Sequence, residues 1–360
     1  MVWLLLLAGL ACLILGAEIL VRSGSALAAR LGISSLVIGL TVVAFGTSSP
    51  ELAVSAKAAL SGQSDIALGN IVGSNIFNVL FILGISALIS PLVVSKQLVK
   101  VDIPIMIGVS ILLLLMAIDG KLSQLDGAVL FSGIISYTVF SLWLSKKENK
   151  GNALGNTDKE KAKSGRGSVG MNILLCLIGL VILVIGAKWF VEGAVTIARQ
   201  WGISELVIAL TIVAAGTSMP EVATSIIAAL RKETDIAVGN VVGSSIFNIL
   251  AILGIASLLA GPKGLSVSMG IMDFDLPVMI AVAFACLPIF FSGHIISRWE
   301  GVVFLMYYVA YVLYLILKSQ EHDLLPIMSK TMWAFVIPIT VLTLGVVYFQ
   351  SRKKARTVLP

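Results

Sequence analysis

Glu51 and Glu221 each follow a proline inside an otherwise apolar run, in the sequences GTSSPE and GTSMPE. Thr47 lies four residues and Ser48 three residues before Glu51, a helical spacing that turns all three side chains toward one face. Thr217, Ser218 and Glu221 repeat the arrangement. Downstream, GNIVGSNIFN sets Asn70, Ser74 and Asn78 at four-residue steps, and GNVVGSSIFN does the same with Asn240, Ser244 and Asn248. Every one of these groups offers oxygen. Carboxylate, hydroxyl, amide and carbonyl oxygens suit hard cations such as Ca²⁺ and Na⁺, whereas zinc and copper favour nitrogen or sulfur. Calcium takes about six to eight oxygens. Two bidentate carboxylates would supply four, and the backbone carbonyls of Ala44 and Ala214 two more. Two carboxylates also balance the charge of one Ca²⁺.

The prolines account for the carbonyls. Pro50 has no N–H, so the helical bond to the carbonyl of Gly46 cannot form, and Gly46 loosens the same turn. Carbonyls from Ala44 to Gly46, and from Ala214 to Gly216, are therefore expected to stay partly unsatisfied. In a hydrocarbon environment such groups are tolerated only where they line a cavity or meet a ligand.

The elements that position these residues are membrane helices. The 360-residue chain is 58% hydrophobic and 12% charged, about half the charge of a soluble domain. Apolar runs near 20 residues recur, long enough to cross a hydrocarbon core of about 30 Å. An acid at mid-membrane costs about 2.5–3.5 kcal/mol, so a duplicated pair argues for a working site over packing. Helices are expected near 2–21, 34–60, 65–90, 101–118, 125–145, 171–195, 204–230, 235–260, 271–292, 298–318 and 331–350, with the second and third of each half broken or bent. The opening run MVWLLLLAGLACLILGAEIL has the apolarity of a signal peptide but no basic start, and LILGAEILV recurs as LVIGAKWFV. A structural helix is expected there.

Residues 41–90 and 211–260 align at a constant offset of 170, with about 30 of 50 positions identical. An N-terminus outside the cell puts 18 of the 25 lysines and arginines on the inner side, including the seven of the 145–170 linker and the four of SRKKAR near the end. That asymmetry sets the orientation. Five helices precede the linker, so the second half enters from the opposite side, the inverted-repeat plan of secondary transporters. The expected fold is an all-α polytopic membrane protein with ten core helices. It comprises a first five-helix repeat (1–144), a solvated cytoplasmic linker (145–170), a second repeat (171–318), and an extra transmembrane helix with a basic tail (319–360).

Cys12, Cys176 and Cys286 form no CxxC pair and are expected as small buried groups. His294 and His322 are expected on the surface. Asp102 and Asp275, each two residues before a proline, are expected as helix N-caps.

GTSSPE with GNIVGSNIFN, repeated as GTSMPE with GNVVGSSIFN, closely resembles the two alpha repeats of the sodium/calcium exchanger family, within the cation/calcium antiporter superfamily. The resemblance extends to about residue 318 and is to prokaryotic-type members. It implies exchange of one Ca²⁺ for several Na⁺ across a cell or inner membrane by alternating access. Carried over by position, it implies Thr47, Ser48, Glu51, Ser74, Asn78 and the Ala44 carbonyl as ion ligands. From the second repeat it implies Thr217, Ser218, Glu221, Ser244, Asn248 and the Ala214 carbonyl. No cofactor, nucleic acid or obligate protein partner is implied; Na⁺ and Ca²⁺ are the transported substrates, and the surroundings are lipid. Some relatives carry aspartate at one of the positions of Asn78 and Asn248, an acid associated with potassium dependence, so the resemblance implies potassium independence. Coupling to H⁺, or transport of another divalent cation on the same fold, stays open. A channel fits inverted, proline-broken repeats poorly. An intramembrane enzyme is disfavoured because HExxH is absent and no serine has a histidine or lysine partner.

Overall fold

The computed structural model describes residues 2–152, 168–203, 205–291, 294–322 and 324–332, with 337 and 345. The first half contains α1 (Val2–Leu31), α2 (Ser35–Thr47), α3 (Ser49–Leu60), α4 (Ser64–Ile89), α5 (Leu98–Ala117) and α6 (Gln124–Asn152). The second contains α7 (Val169–Gln200), α8 (205–216), α9 (Met219–Leu230), α10 (Thr234–Leu259), α11 (271–291) and α12 (Arg298–Ser319), and a short α13 (Leu325–Thr331) follows. Among the described residues seven helices are long and apolar enough to cross a bilayer, or eight with α2 and α3 counted as one bent span. The helix expected near 331–350, apart from residues 331, 332, 337 and 345, and the middle of the linker lie outside the described residues. Helix α6 runs to Asn152, past its expected end at 145.

The proline break appears as a 48° bend between α2 and α3. Ser48 sits at the corner with φ −80° and ψ 9°. Pro50 falls in the first turn of α3, a position that tolerates its missing N–H. The corner corrects one expectation. The Ala44 carbonyl is not left open by the break, because the Ser48 N–H reaches it at 3.0 Å. Thr47 Oγ1 also lies 3.4 Å from the same carbonyl oxygen.

The third helices were expected to be broken or bent, yet α4 and α10 each run as one span. They carry wide π turns instead, at Asn78–Leu83 and Asn248–Leu253. Two further pairs of π turns, Gly39–Val43 with Ala209–Val213 and Leu98–Asp102 with Ile271–Asp275, repeat the symmetry. Such bulges recur at functional sites because they interrupt the helical bonding ladder.

Two miniature ribbons fix the relative direction of the halves. Strand β1 (Leu92–Val93) pairs antiparallel with β4 (Ile295–Ile296), and β2 (Lys121–Leu122) with β3 (Leu265–Ser266). The β1 loop joins the third and fourth spans of its half, while the β4 loop joins the fourth and fifth of the other. Within one half these two loops lie on opposite sides of a membrane. Their pairing across halves therefore requires the halves to be inverted.

Helices α1 and α7 pack antiparallel along small-residue stripes, the membrane route to close backbone approach. A Cβ at Gly16 would stand 2.8 Å from the Gly179 carbonyl, and one at Gly186 would stand 2.8 Å from Leu13 N. Toward its C-terminus α1 is tied to the turn after α9. Arg231 pairs with Glu18, and Ser25 Oγ donates to Glu233 at 3.0 Å.

Asp102 is not the expected N-cap, since its side chain makes no capping bond. It is buried and accepts from Tyr137 Oη at 3.0 Å, joining α5 to α6. Asp275 accepts from Tyr311 Oη at 2.9 Å in the corresponding place. Tyr137→Phe is expected to cost about 1–3 kcal/mol by stripping a donor from a buried carboxyl, read as a lowered melting temperature in detergent. Tyr311→Phe should cost less, because Asp275 is only half-buried. Cys176 and Cys286 are buried and Cys12 is partly so. His322 is exposed, but His294 is half-buried and its carbonyl accepts from Val94 N at 2.8 Å.

Candidate cation site

The α2–α3 and α8–α9 breaks meet at the centre of the molecule. There Glu51 and Glu221 stand in the first turns of α3 and α9, where the positive ends of the helix dipoles favour negative charge. Both are buried. Their bonds run crosswise between the halves. Ser48 Oγ donates to Glu221 Oε1 at 2.9 Å, and Ser218 Oγ donates to Glu51 Oε1 at 2.8 Å. Each serine thus holds the carboxylate of the other repeat.

Helices α4 and α10 complete the cage. Thr47 Oγ1 donates to Asn240 Oδ1 at 3.1 Å, and Thr217 Oγ1 to Asn70 Oδ1 at 3.3 Å. The amides of Asn70 and Asn240 donate in turn to the Glu51 and Glu221 carbonyls, both at 3.3 Å, and to Ser55 and Ser225, both at 2.9 Å. Ser74 Oγ lies 3.2 Å from Ser218 Oγ, and Ser244 Oγ lies 3.5 Å from Thr47 Oγ1. These asparagines fix the backbone at both corners.

The network leaves certain atoms without a hydrogen-bond partner in the protein. They are the second carboxylate oxygens of Glu51 and Glu221, both amide atoms of Asn78, and the amide oxygen of Asn248. Buried polar groups almost always find partners. Four of these five atoms are oxygens, the kind of group a cation would partner; the fifth, the Asn78 amide nitrogen, is a donor. Among the described residues no three His, Cys, Asp or Glu side chains gather as a metal cluster, so any cation here depends on neutral oxygens beside two carboxylates.

The structure thus brings together Thr47, Ser48, Glu51, Ser74, Thr217, Ser218, Glu221 and Ser244, while Asn78 and Asn248 are buried on the π turns four residues beyond Ser74 and Ser244. It does not enclose the two alanines equally. Ala44 is buried, whereas Ala214 is exposed. The same contrast runs along the half-helices. A Cβ at Gly243 on α10 would meet the Leu40 backbone of α2 at 2.6 Å. At Gly73, its counterpart on α4, a Cβ would find no described atom within 4 Å, and Gly69 is exposed. Helix α2 is seated on α10, and α8 stands off α4. Beside α8 an apolar groove of about 410 Å³ runs between Phe77, Phe81, Thr211, Ala215, Met219 and Tyr308, reaching the neighbour of Ser218.

Sequence reasoning missed Ser55 and Ser225 as brackets, and missed Asn75 altogether. The available signal for Asn75 was that position 75 and its equivalent, Ser245, differ inside the otherwise matching G-S-x-I-F-N motif.

The sequence profile of the sodium/calcium exchanger protein family matches residues 1–143 and 171–317. The chain belongs to that family. Among its sodium/calcium exchanger relatives, MaX1 of Methanosarcina acetivorans is 38% identical over 347 residues, covering 87% of this chain and 98% of the relative. The inner membrane protein YrbG of Escherichia coli is 36% identical over 284 residues, covering 79% and 87% respectively. The structure of the sodium-calcium exchanger NCX_Mj soaked with 10 mM Na⁺ and no Ca²⁺ superposes with a TM-score of 0.73 at 33% identity, over 87% of this chain and 99% of that one. Exchanger membership makes this a multi-pass membrane transporter, and the interruption of the profile at 144–170 coincides with the polar linker.

Proposed function

We propose that this protein is a secondary antiporter that exchanges Na⁺ for Ca²⁺ by alternating access at the central cluster. The observation that carries the reading is the crosswise pair of buried carboxylates, each held by a serine of the opposite repeat and each with one oxygen unpartnered. Thr47, Ser48, Glu51, Ser74, Asn78 and the Ala44 carbonyl face Thr217, Ser218, Glu221, Ser244, Asn248 and the Ala214 carbonyl as the ligand set. Na⁺ and Ca²⁺ compete for the same oxygens, so loading with one excludes the other. No resident cofactor is required.

The lysine and arginine distribution supports an N-terminus outside, with linker and C-terminus in the cytoplasm of a cell or inner membrane. In that orientation α2 begins on the inner side and α8 on the outer. The seated α2 closes the inner approach, and the lifted α8 leaves the outer approach to Ala214 open. Asparagine at both 78 and 248 supports potassium independence.

The test is Ca²⁺ uptake into proteoliposomes loaded with Na⁺ and diluted into Na⁺-free buffer. Uptake is expected with a Na⁺ gradient and not with Li⁺, K⁺ or H⁺ gradients of equal size. Equal uptake on a pH gradient without Na⁺ would make the protein an H⁺-coupled exchanger. Uptake needing no counter-ion would make it a channel.

A further inference from the structure

The two π-turn asparagines, Asn78 and Asn248, occupy equivalent places but unequal surroundings. Asn248 Nδ2 donates to Asn75 Oδ1 at 2.9 Å. Asn75 Nδ2 in turn donates to the Ser245 carbonyl at 3.1 Å, with Met279 Sδ at 3.7 Å beyond. This chain of bonds has one consistent direction. A backbone carbonyl only accepts, so the side of Asn75 that meets Ser245 is its NH₂. Its oxygen therefore faces Asn248, and Asn248 must present its own NH₂ there. The Asn248 oxygen is left turned away from Asn75, buried and without a protein partner. At the equivalent of position 75 the second repeat has Ser245, whose hydroxyl bonds back to Val241 O at 2.9 Å in its own helix. Asn78 consequently has no such clamp, and both its amide atoms lack partners.

We propose that Asn75 is a positioning residue that locks the Asn248 carboxamide with its oxygen toward the cation, making Asn248 a committed ligand while Asn78 stays free to rotate. The inference rests on the reading of the central cluster as the ion site. It also identifies what the lock prevents: an unclamped amide can turn its NH₂ on the ion, which repels rather than binds it.

The experiment compares Asn75→Ala, Asn248→Ala, the double variant and Glu51→Gln in Na⁺-driven Ca²⁺ uptake, reading half-saturating Ca²⁺ and maximal rate separately. Ca²⁺ titration calorimetry in detergent serves as the transport-free readout. Asn75→Ala is expected to raise half-saturating Ca²⁺ about tenfold with the maximal rate within about twofold. Asn248→Ala should do as much or more, and the double variant should be no worse than Asn248→Ala by more than about twofold, because Asn75 acts through Asn248. Asn75→Ser, the residue found at 245, is the second variant should alanine fail to fold; its hydroxyl is too short to hold the Asn248 amide, so the same shift is expected. If Asn75→Ala weakens Ca²⁺ as much in the Asn248→Ala background as alone, or leaves it unchanged where Asn248→Ala weakens it, the positioning role is overturned and the site stands. If Glu51→Gln and Asn248→Ala both leave Ca²⁺ handling unchanged, the site falls and this role with it.

Discussion

Glu51→Gln, and separately Glu221→Gln, should lower Ca²⁺ affinity by at least about a hundredfold and abolish Na⁺-driven Ca²⁺ uptake. The substitution is nearly isosteric, so the hydroxyl of Ser218 still finds an amide oxygen at the place of Glu51 Oε1. What is lost is half the formal charge of a buried site. Removing one partner of a buried charge pair costs about 3–5 kcal/mol, and each 1.4 kcal/mol is about tenfold in affinity. Calorimetry of Ca²⁺ binding, beside vesicle uptake, separates lost binding from lost movement. A Glu51→Gln protein exchanging Ca²⁺ at the wild-type rate would remove the central cluster from the transport path. The equivalence of the halves makes a sharper demand: the two variants should be impaired to similar degrees, because each carboxylate has a buried serine from the other repeat and one unpartnered oxygen.

The second large effect comes from one carbon atom placed at either of two equivalent glycines. At Gly243 a Cβ meets the Leu40 backbone at 2.6 Å and the Ala44 side chain at 2.9 Å, so α2 must move. Overpacking of this kind costs about 1–3 kcal/mol. Gly243→Ala is therefore expected to unseat α2 and expose the inner approach. At Gly73 the space is open, and alanine is the better helix former by about 0.8–1.0 kcal/mol. Gly73→Ala should fold at least as well as the parent, yet deny α8 its seat on α4. It is expected to bind Ca²⁺ from outside and to exchange it at least about tenfold more slowly. Cysteines at the two carbonyl positions report the outcome. Ala214→Cys should react with an impermeant thiol reagent from outside and Ala44→Cys from neither side, until Gly243→Ala makes Ala44→Cys reactive from the inside. Wild-type exchange in Gly73→Ala would mean that α8 never closes on that face of α4.

Much of this was legible in the residues because the repeat exposes it. A duplicated carboxylate after a proline, with hydroxyls three and four residues before it, carries its own geometry. The alternation of loops with a lysine and arginine bias gave the inversion that the ribbons display. Four things were not legible. The π turns arise from the packing of whole helices, and Asn78 in a sequence looks like the end of an ordinary four-residue ladder. Proline predicts a missing bond but not which donor makes up for it, so the Ser48 N–H on Ala44 could not be foreseen. Asp102 two residues before a proline has the local signature of a cap, and only the tertiary approach of Tyr137 draws it elsewhere. The unequal seating of α2 and α8 is the fourth, because the glycines it turns on, Gly73 and Gly243, are the same residue in both repeats.

The ribbons bear on how such a chain could have arisen and how it assembles. Each half lends a strand to the other on both faces of the membrane: β1 meets β4 on one face, and β2 meets β3 on the opposite one. Neither half pairs its own strands, and neither supplies the serine that holds its own carboxylate. A single half made alone would have bare strand edges and one unclamped acid. Two copies of that half inserted in opposite directions would regenerate both ribbons and both serine–carboxylate bonds. The fused chain is in this sense a covalently joined antiparallel dimer, whose central carboxylate cluster is an interface that assembles only when the second half has entered the membrane.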